Sequence, residues 1–180
     1  MLTIKTNDIE FYNEETNEFV SQKGRTIDLE HSLISLSKWE SKWCKPFLGR
    51  EEKTEEELQD YVRCMTITKN VPDEAYSNLP MEEIHRINNY IEHKMTATTF
   101  SQIHNNSKSS EVVTSELIYY WMIAANIPFE CQKWHLNRLL TLIRVCSIKS
   151  APSKKIPRET LLRRNAAINA ARRKKLNTRG

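Results

Sequence analysis

Residues 111–147 read EVVTSELIYYWMIAANIPFECQKWHLNRLLTLIRVCS, and nowhere else in the chain does apolar content coincide so well with a single period. Ile118, Trp121, Met122 and Ala125 fall at i, i+3, i+4 and i+7, and Leu136, Leu139, Leu140 and Ile143 repeat the pattern. Both halves read as helices. Thr114 and Ser115 suit the start of the first, while Asn126-Ile127-Pro128 must interrupt it, because the residue before a proline is pushed out of the helical region. The chain can restart at Glu130 or soon after. The expected product is a central helical hairpin or corner with Trp121 and Trp134 near its core.

Composition sets the frame for this hairpin. The 180 residues are 39% apolar and 28% charged, which suits one domain of modest core with solvated extensions. Three glycines and six prolines are few for the many tight turns of a sandwich or barrel. The expected fold is mainly α with a small N-terminal antiparallel sheet, an α+β arrangement. No run approaches the roughly 18 apolar residues of a membrane span. The opening residues also lack the basic-then-apolar order of a signal peptide, so a soluble, intracellular protein with no membrane contact is expected.

Three regions follow from the order of patterns. Residues 1–30 hold four short β-prone pieces, LTIK, IEFY, EFV and TIDL, separated by turn-rich segments. So small a sheet must lean on helices or on another copy of the chain, and an exposed edge would favour assembly by strand addition. Residues 31–148 form the helical domain. Ser32 can cap a helix carrying Leu33, Leu36, Trp39 and Trp43, and Thr54 with Glu57 makes a capping box before Leu58, Tyr61, Val62 and Met65. Glutamates in that first turn answer to the helix dipole and need no catalytic explanation. Pro80 opens a third helix with Ile84, Ile87, Ile91 and Met95 inward. The run 96–110 ends in a polar loop, for which mobility is expected at 104–110.

Residues 149–180 change character. They carry eleven Lys or Arg against one Glu, whereas residues 1–148 carry a net −6. Pro157 and Glu159 suit the start of a basic C-terminal helix bearing Arg163, Arg164, Arg172, Arg173, Lys174 and Lys175, with only Leu161, Ile168 and Ala171 as an apolar stripe. Such a segment can lean on an acidic body, neutralise nucleic-acid phosphates in a salt-dependent and sequence-indifferent way, or recruit an acidic protein. It has no aromatic residue for stacking unpaired bases. The central hairpin is a poor helix-turn-helix, since its second helix is largely apolar with only Lys133 and Arg138 early.

No catalytic constellation is legible, and the chain is read as a non-enzyme without cofactor. Cys44, Cys64, Cys131 and Cys146 have neither clip nor framework spacing and read as free thiols. His85 and His93 are eight apart instead of the four that would align two ligands, so no metal site is expected.

The pieces TIDLEHSLISLSKWESKWCKPFLG, YVRCMTI, MTATTF, TSELIYYWMIAANIPFECQKWHLNRLLTLIRVC and APSKKIPRETLLRRNAAINAARRKKLNTRG together resemble a family encoded in tail gene clusters of tailed bacteriophages and associated with tail assembly chaperones. The resemblance covers most of residues 20–180. It implies a role in the host cytoplasm, binding the long helical tape measure protein and other tail proteins during tail morphogenesis, in homo-oligomeric form or not. It also implies the two-length synthesis by ribosomal frameshift common in such chaperones, for which Lys174-Lys175 marks a place in the coding sequence. Trp39, Trp43, Tyr120, Trp121, Met122 and Trp134 are the candidates for a partner-binding groove. The rival readings are a structural virion protein of the tail, baseplate or neck, and a nucleic-acid-binding protein acting through its basic helix.

Overall fold

The computed structural model describes residues 1–13, 17–77, 79–100, 112–151 and 158–177. Among these the chain is mainly helical, with short antiparallel strands confined to the N-terminus. It forms two compact units, Met1–Ile148 and Lys149–Gly180. The four cysteines are free thiols, and no described helix is long and apolar enough to cross a membrane.

Strands β1 (Leu2–Lys5) and β4 (Thr26–Leu29) pair antiparallel, with Ile4 opposite Ile27. Alternation puts both side chains on one face, where they are fully buried. Between them β2 (Ile9–Asn13) and β3 (Glu18–Gln22) make a separate hairpin, with Tyr12 opposite Phe19. Both outer edges of the β1–β4 pair are occupied within the chain. Lys5 donates its backbone N–H to Glu83 Oε1 at 3.3 Å, and the Arg86 guanidinium donates to Thr3 O at 3.0 Å, so helix α3 (Met81–Glu92) covers β1. On the other side Glu30 N–H reaches Met65 O at 2.9 Å and Ile67 N–H reaches Asp28 O at 2.8 Å.

Helix α1 (Leu33–Trp43) starts at Ser32, whose hydroxyl accepts from Ser35 N–H, and stops at Cys44 in left-handed conformation. Helix α2 (Glu55–Met65) starts with the expected box, Thr54 and Glu57 satisfying each other's backbone N–H. One core gathers Ile4, Ile27, Leu29, Trp39, Tyr61, Met65, Ile87 and Tyr90 from strands and helices α1–α3. Leu58, which helical spacing with Tyr61, Val62 and Met65 would place on the inner stripe, is half exposed, and the buried positions of α2 are Glu57, Asp60, Tyr61 and Met65. A polar network explains this, because Lys45 and Lys42 bring cations to the two buried carboxylates at 2.6 and 2.5 Å.

A second core joins Leu33 and Leu36 of α1 to Ile118 and Met122 of α4 (Ser115–Ala124) and to Leu136 and Leu139 of α5 (Leu136–Ser150). A 3-10 turn over Phe129–Lys133 separates α4 from α5, so the restart at Glu130 is a single turn and the regular helix begins at Leu136. Helix α1 serves both cores, turning Trp39 toward one and Leu36 toward the other. In the second unit α6 (Arg158–Leu176) stands alone as one helix.

Candidate functional site

Helix α4 and the turn after it present an exposed apolar surface on the larger unit. Thr114 caps the helix, its hydroxyl accepting from Leu117 N–H, and Ser115, Ile118 and Met122 face inward. The opposite side carries Glu116, Tyr120, Ile123 and Ala124, all exposed. Tyr120 and Ile123, three apart, are 63% and 60% exposed. Asn126 takes a left-handed conformation and Ile127 N–H returns to Met122 O at 2.9 Å, which closes the helix and lets Pro128 open the 3-10 turn. Phe129, also exposed, leans on Tyr119 with ring centroids 6.4 Å apart, and Tyr119 donates its hydroxyl to Gln132 Oε1 at 2.9 Å.

The sequence candidates divide across this geometry. Tyr120 is on the surface. Trp121 and Trp134 are half-buried against the second core, and the Arg138 guanidinium lies 4.1 Å over the Trp134 ring. Trp43 is half-buried, stacked on Trp39 and donating Nε1–H to Asp60 Oδ2 at 2.8 Å. Two candidates are corrected: Trp39 and Met122 are fully buried and belong to the cores. Trp39 lies inside because its Nε1–H finds Glu57 O at 2.8 Å and Phe47 packs edge-on against its ring. Met122 follows from its place opposite Tyr120 on the wheel.

Ile123 and Phe129 were missed. Sequence periodicity marks the apolar face of a helix but assigns a fully apolar helix such as LIYYWMIA no outward side, and only the position of α1 decides which face is covered.

No family model, curated protein or solved structure matches this chain.

Several interior polar groups contact one another. His31 and His135 face each other at 5.1 Å between ring centroids. His31 Nδ1 shares a 2.6 Å hydrogen bond with the Tyr61 hydroxyl, and His135 Nε2 is 2.9 Å from Tyr90 O. Burial, with His135 as a neighbour, lowers the His31 imidazole to about 3, and burial also lowers His135. Burial pushes the Tyr61 hydroxyl far up. The Asp60 carboxyl is pushed up by burial, but hydrogen bonds from Lys42 and Trp43 hold it below its ordinary value. Among the described residues no group of three or more His, Cys, Asp or Glu is placed to hold a metal ion.

In α6 every described side chain is exposed, including Arg163, Arg164, Arg172, Arg173, Lys174 and Lys175. Arg163 pairs with Glu159 at 2.8 Å, an exposed i, i+4 contact worth a few tenths of a kcal/mol, about 0.3 to 0.5. Ile168 is 40% exposed, so the expected stripe makes no core; Leu161 and the linker 152–157 lie outside the described residues.

Proposed function

We propose that this chain is a tail assembly chaperone that holds apolar helical stretches of a tape measure protein in the host cytoplasm until tail tube subunits displace it. The observation that supports this reading is the outward face of α4, where Tyr120 and Ile123 are left in water beside the Phe129 turn. Monomeric proteins tolerate scattered apolar residues, but neighbouring large ones at helical spacing offer an amphipathic partner helix the matching i, i+3 anchors. Aromatic residues anchor such contacts because they bury much area at little entropic cost. In this reading Tyr120 is the central anchor, and the half-buried Trp121 and Trp134 contribute only the area they leave exposed. Trp43 stands apart, held by Asp60.

The test is quantitative mass spectrometry of purified virions beside infected-cell lysate, followed by nuclease-treated pull-down of the tape measure protein. Abundance in lysate, absence from virions and capture of the tape measure protein support the chaperone. Several copies per particle overturn it in favour of a structural tail, baseplate or neck protein.

A second reading has its own observation. The seven Lys and Arg of α6, set against Glu159 alone, make an exposed basic rod suited to phosphate backbones. It predicts complexes that dissolve on nuclease treatment, whereas the chaperone complex survives it.

A further inference from the structure

A cleft of about 560 Å³ opens on the larger unit at a distance in sequence from the α4 face. One wall is the extended segment after α3, contributing Lys94, Thr96, Thr98, Thr99 and Phe100. The other is a single stripe of α5, Asn137, Leu140, Thr141 and Arg144, at i, i+3, i+4 and i+7. This stripe is the polar margin of a helix whose Leu136 and Leu139 are core.

The lining is chemically one-sided. It holds two permanent cations, Lys94 and Arg144, four threonine hydroxyls and one carboxamide, and no carboxylate among the described residues. Three of the polar side chains already make hydrogen bonds within the chain. Asn137 Nδ2 donates to Ile91 O and His93 O, both at 2.9 Å, which ties the C-terminal end of α3 to α5 just before the segment begins. Thr141 donates to Asn137 O at 2.8 Å. Thr96 accepts from Thr98 N–H at 3.1 Å and so sets the local turn of the segment. Arg144 stacks on Phe100, its guanidinium carbon 4.2 Å from the ring centroid. Stacking uses the plane of the guanidinium and leaves its N–H edge for an anion.

The Arg144 guanidinium covers one face of the Phe100 ring. The cleft offers a pair of cations, the hydroxyl-bearing side chains of Thr98 and Thr99, and an apolar floor at Leu140. A carboxylate with a short aliphatic neighbour matches this set: bidentate acceptance from an arginine edge, a second cation, hydroxyl donors and methyl-rich contact. We propose that the cleft between residues 94–100 and α5 binds a carboxylate-bearing peptide segment, an acidic stretch with interspersed aliphatic side chains, with Arg144 and Lys94 as its anchors. The proposal stands independently of the function proposed above.

The experiment uses the full chain, isotope-labelled for NMR, titrated with a Glu-Leu alternating octapeptide, and with a Lys-Leu octapeptide and AMP as separate probes. Expected are saturable shifts at the Thr98, Thr99 and Thr141 amides with the acidic peptide alone. Arg144→Gln and Lys94→Gln should each weaken binding roughly three- to tenfold, with Arg144→Lys intermediate, and raised salt should weaken it further. Simultaneous Gln substitution of Arg172 and Arg173 is the control for attraction by the basic tail and should leave the cleft shifts intact. Preserved spectral dispersion in Arg144→Lys separates lost binding from lost fold. The proposal is overturned if AMP shifts the same amides with equal or greater affinity, if the acidic peptide shifts only α6, or if no cleft amide moves at millimolar peptide.

Discussion

Glu40 on α1 accepts the backbone N–H of Ser115 through Oε2 at 2.7 Å, a buried bond between residues 75 apart that fixes the first turn of α4. Its other oxygen accepts from Phe47 N–H at 2.9 Å. One carboxylate thus orients the start of the helix that carries the candidate surface and the loop after α1. Glu40→Ala leaves the buried Ser115 N–H unsatisfied, at a cost of about 1 to 3 kcal/mol, and also strips the half-buried Phe47 N–H of its acceptor. A lower urea midpoint with unchanged slope is expected, with Glu40→Gln milder because one acceptor oxygen is retained.

Acid should destabilise the larger unit well before its carboxylates titrate. The folded-state pKa of His31 lies far below its ordinary 6.5, at about 3. Between these values the unfolded chain holds a proton that the native chain refuses. Stability is therefore fully present above about pH 6.5 and is lost as pH falls toward 3. The limiting slope is about 1.4 kcal/mol per pH unit for each such histidine. Urea unfolding from pH 8 to pH 5 measures it, and His31→Gln should flatten the profile.

Surface and core aromatics should separate cleanly under substitution. Tyr120→Ser and Ile123→Ser should leave stability within about 0.5 kcal/mol, as is usual for exposed sites. Both should lower capture of the tape measure protein. Met122→Ala, one position away, should cost about 2 to 5 kcal/mol, and Trp39→Ala about 3 to 5. Thermal melts and pull-downs on the same variants check both halves.

The basic helix should be dispensable for the fold of the larger unit. Replacing Arg172, Arg173, Lys174 and Lys175 by Gln should leave the unfolding midpoint of residues 1–148 unchanged. Elution from a heparin column should move to distinctly lower salt, since each lost cation reduces the counterions released.

Much of the fold is legible because its signals are local. Thr54 and Glu57 announce α2 through their own backbone needs, Pro128 enforces the break after α4, and the four β-prone pieces sit where strands form. The site was less legible, for a physical reason. Whether Trp39, Trp43 or Tyr120 faces water depends on which helix lies across it, and the relevant neighbours come from residues far along the chain. Buried charge was equally opaque: Glu57 looks like a dipole-favoured surface residue until Lys45, twelve residues earlier, reaches it at 2.6 Å. The 94–100 cleft did leave a trace, in the polar Asn137, Thr141 and Arg144 at helical spacing beside an apolar stripe. The loop expected at 104–110 lies outside the described residues.

Helix α1 carries Trp39 into one core and Leu33 and Leu36 into the other. Neither core can open to solvent without drawing out a side chain that the other holds. Amide exchange in residues 33–43 should accordingly be the slowest in the molecule and should report global opening, with no separate sub-global step for either half. A partner that clamps α4 would, by the same linkage, slow exchange in the N-terminal sheet that it never touches.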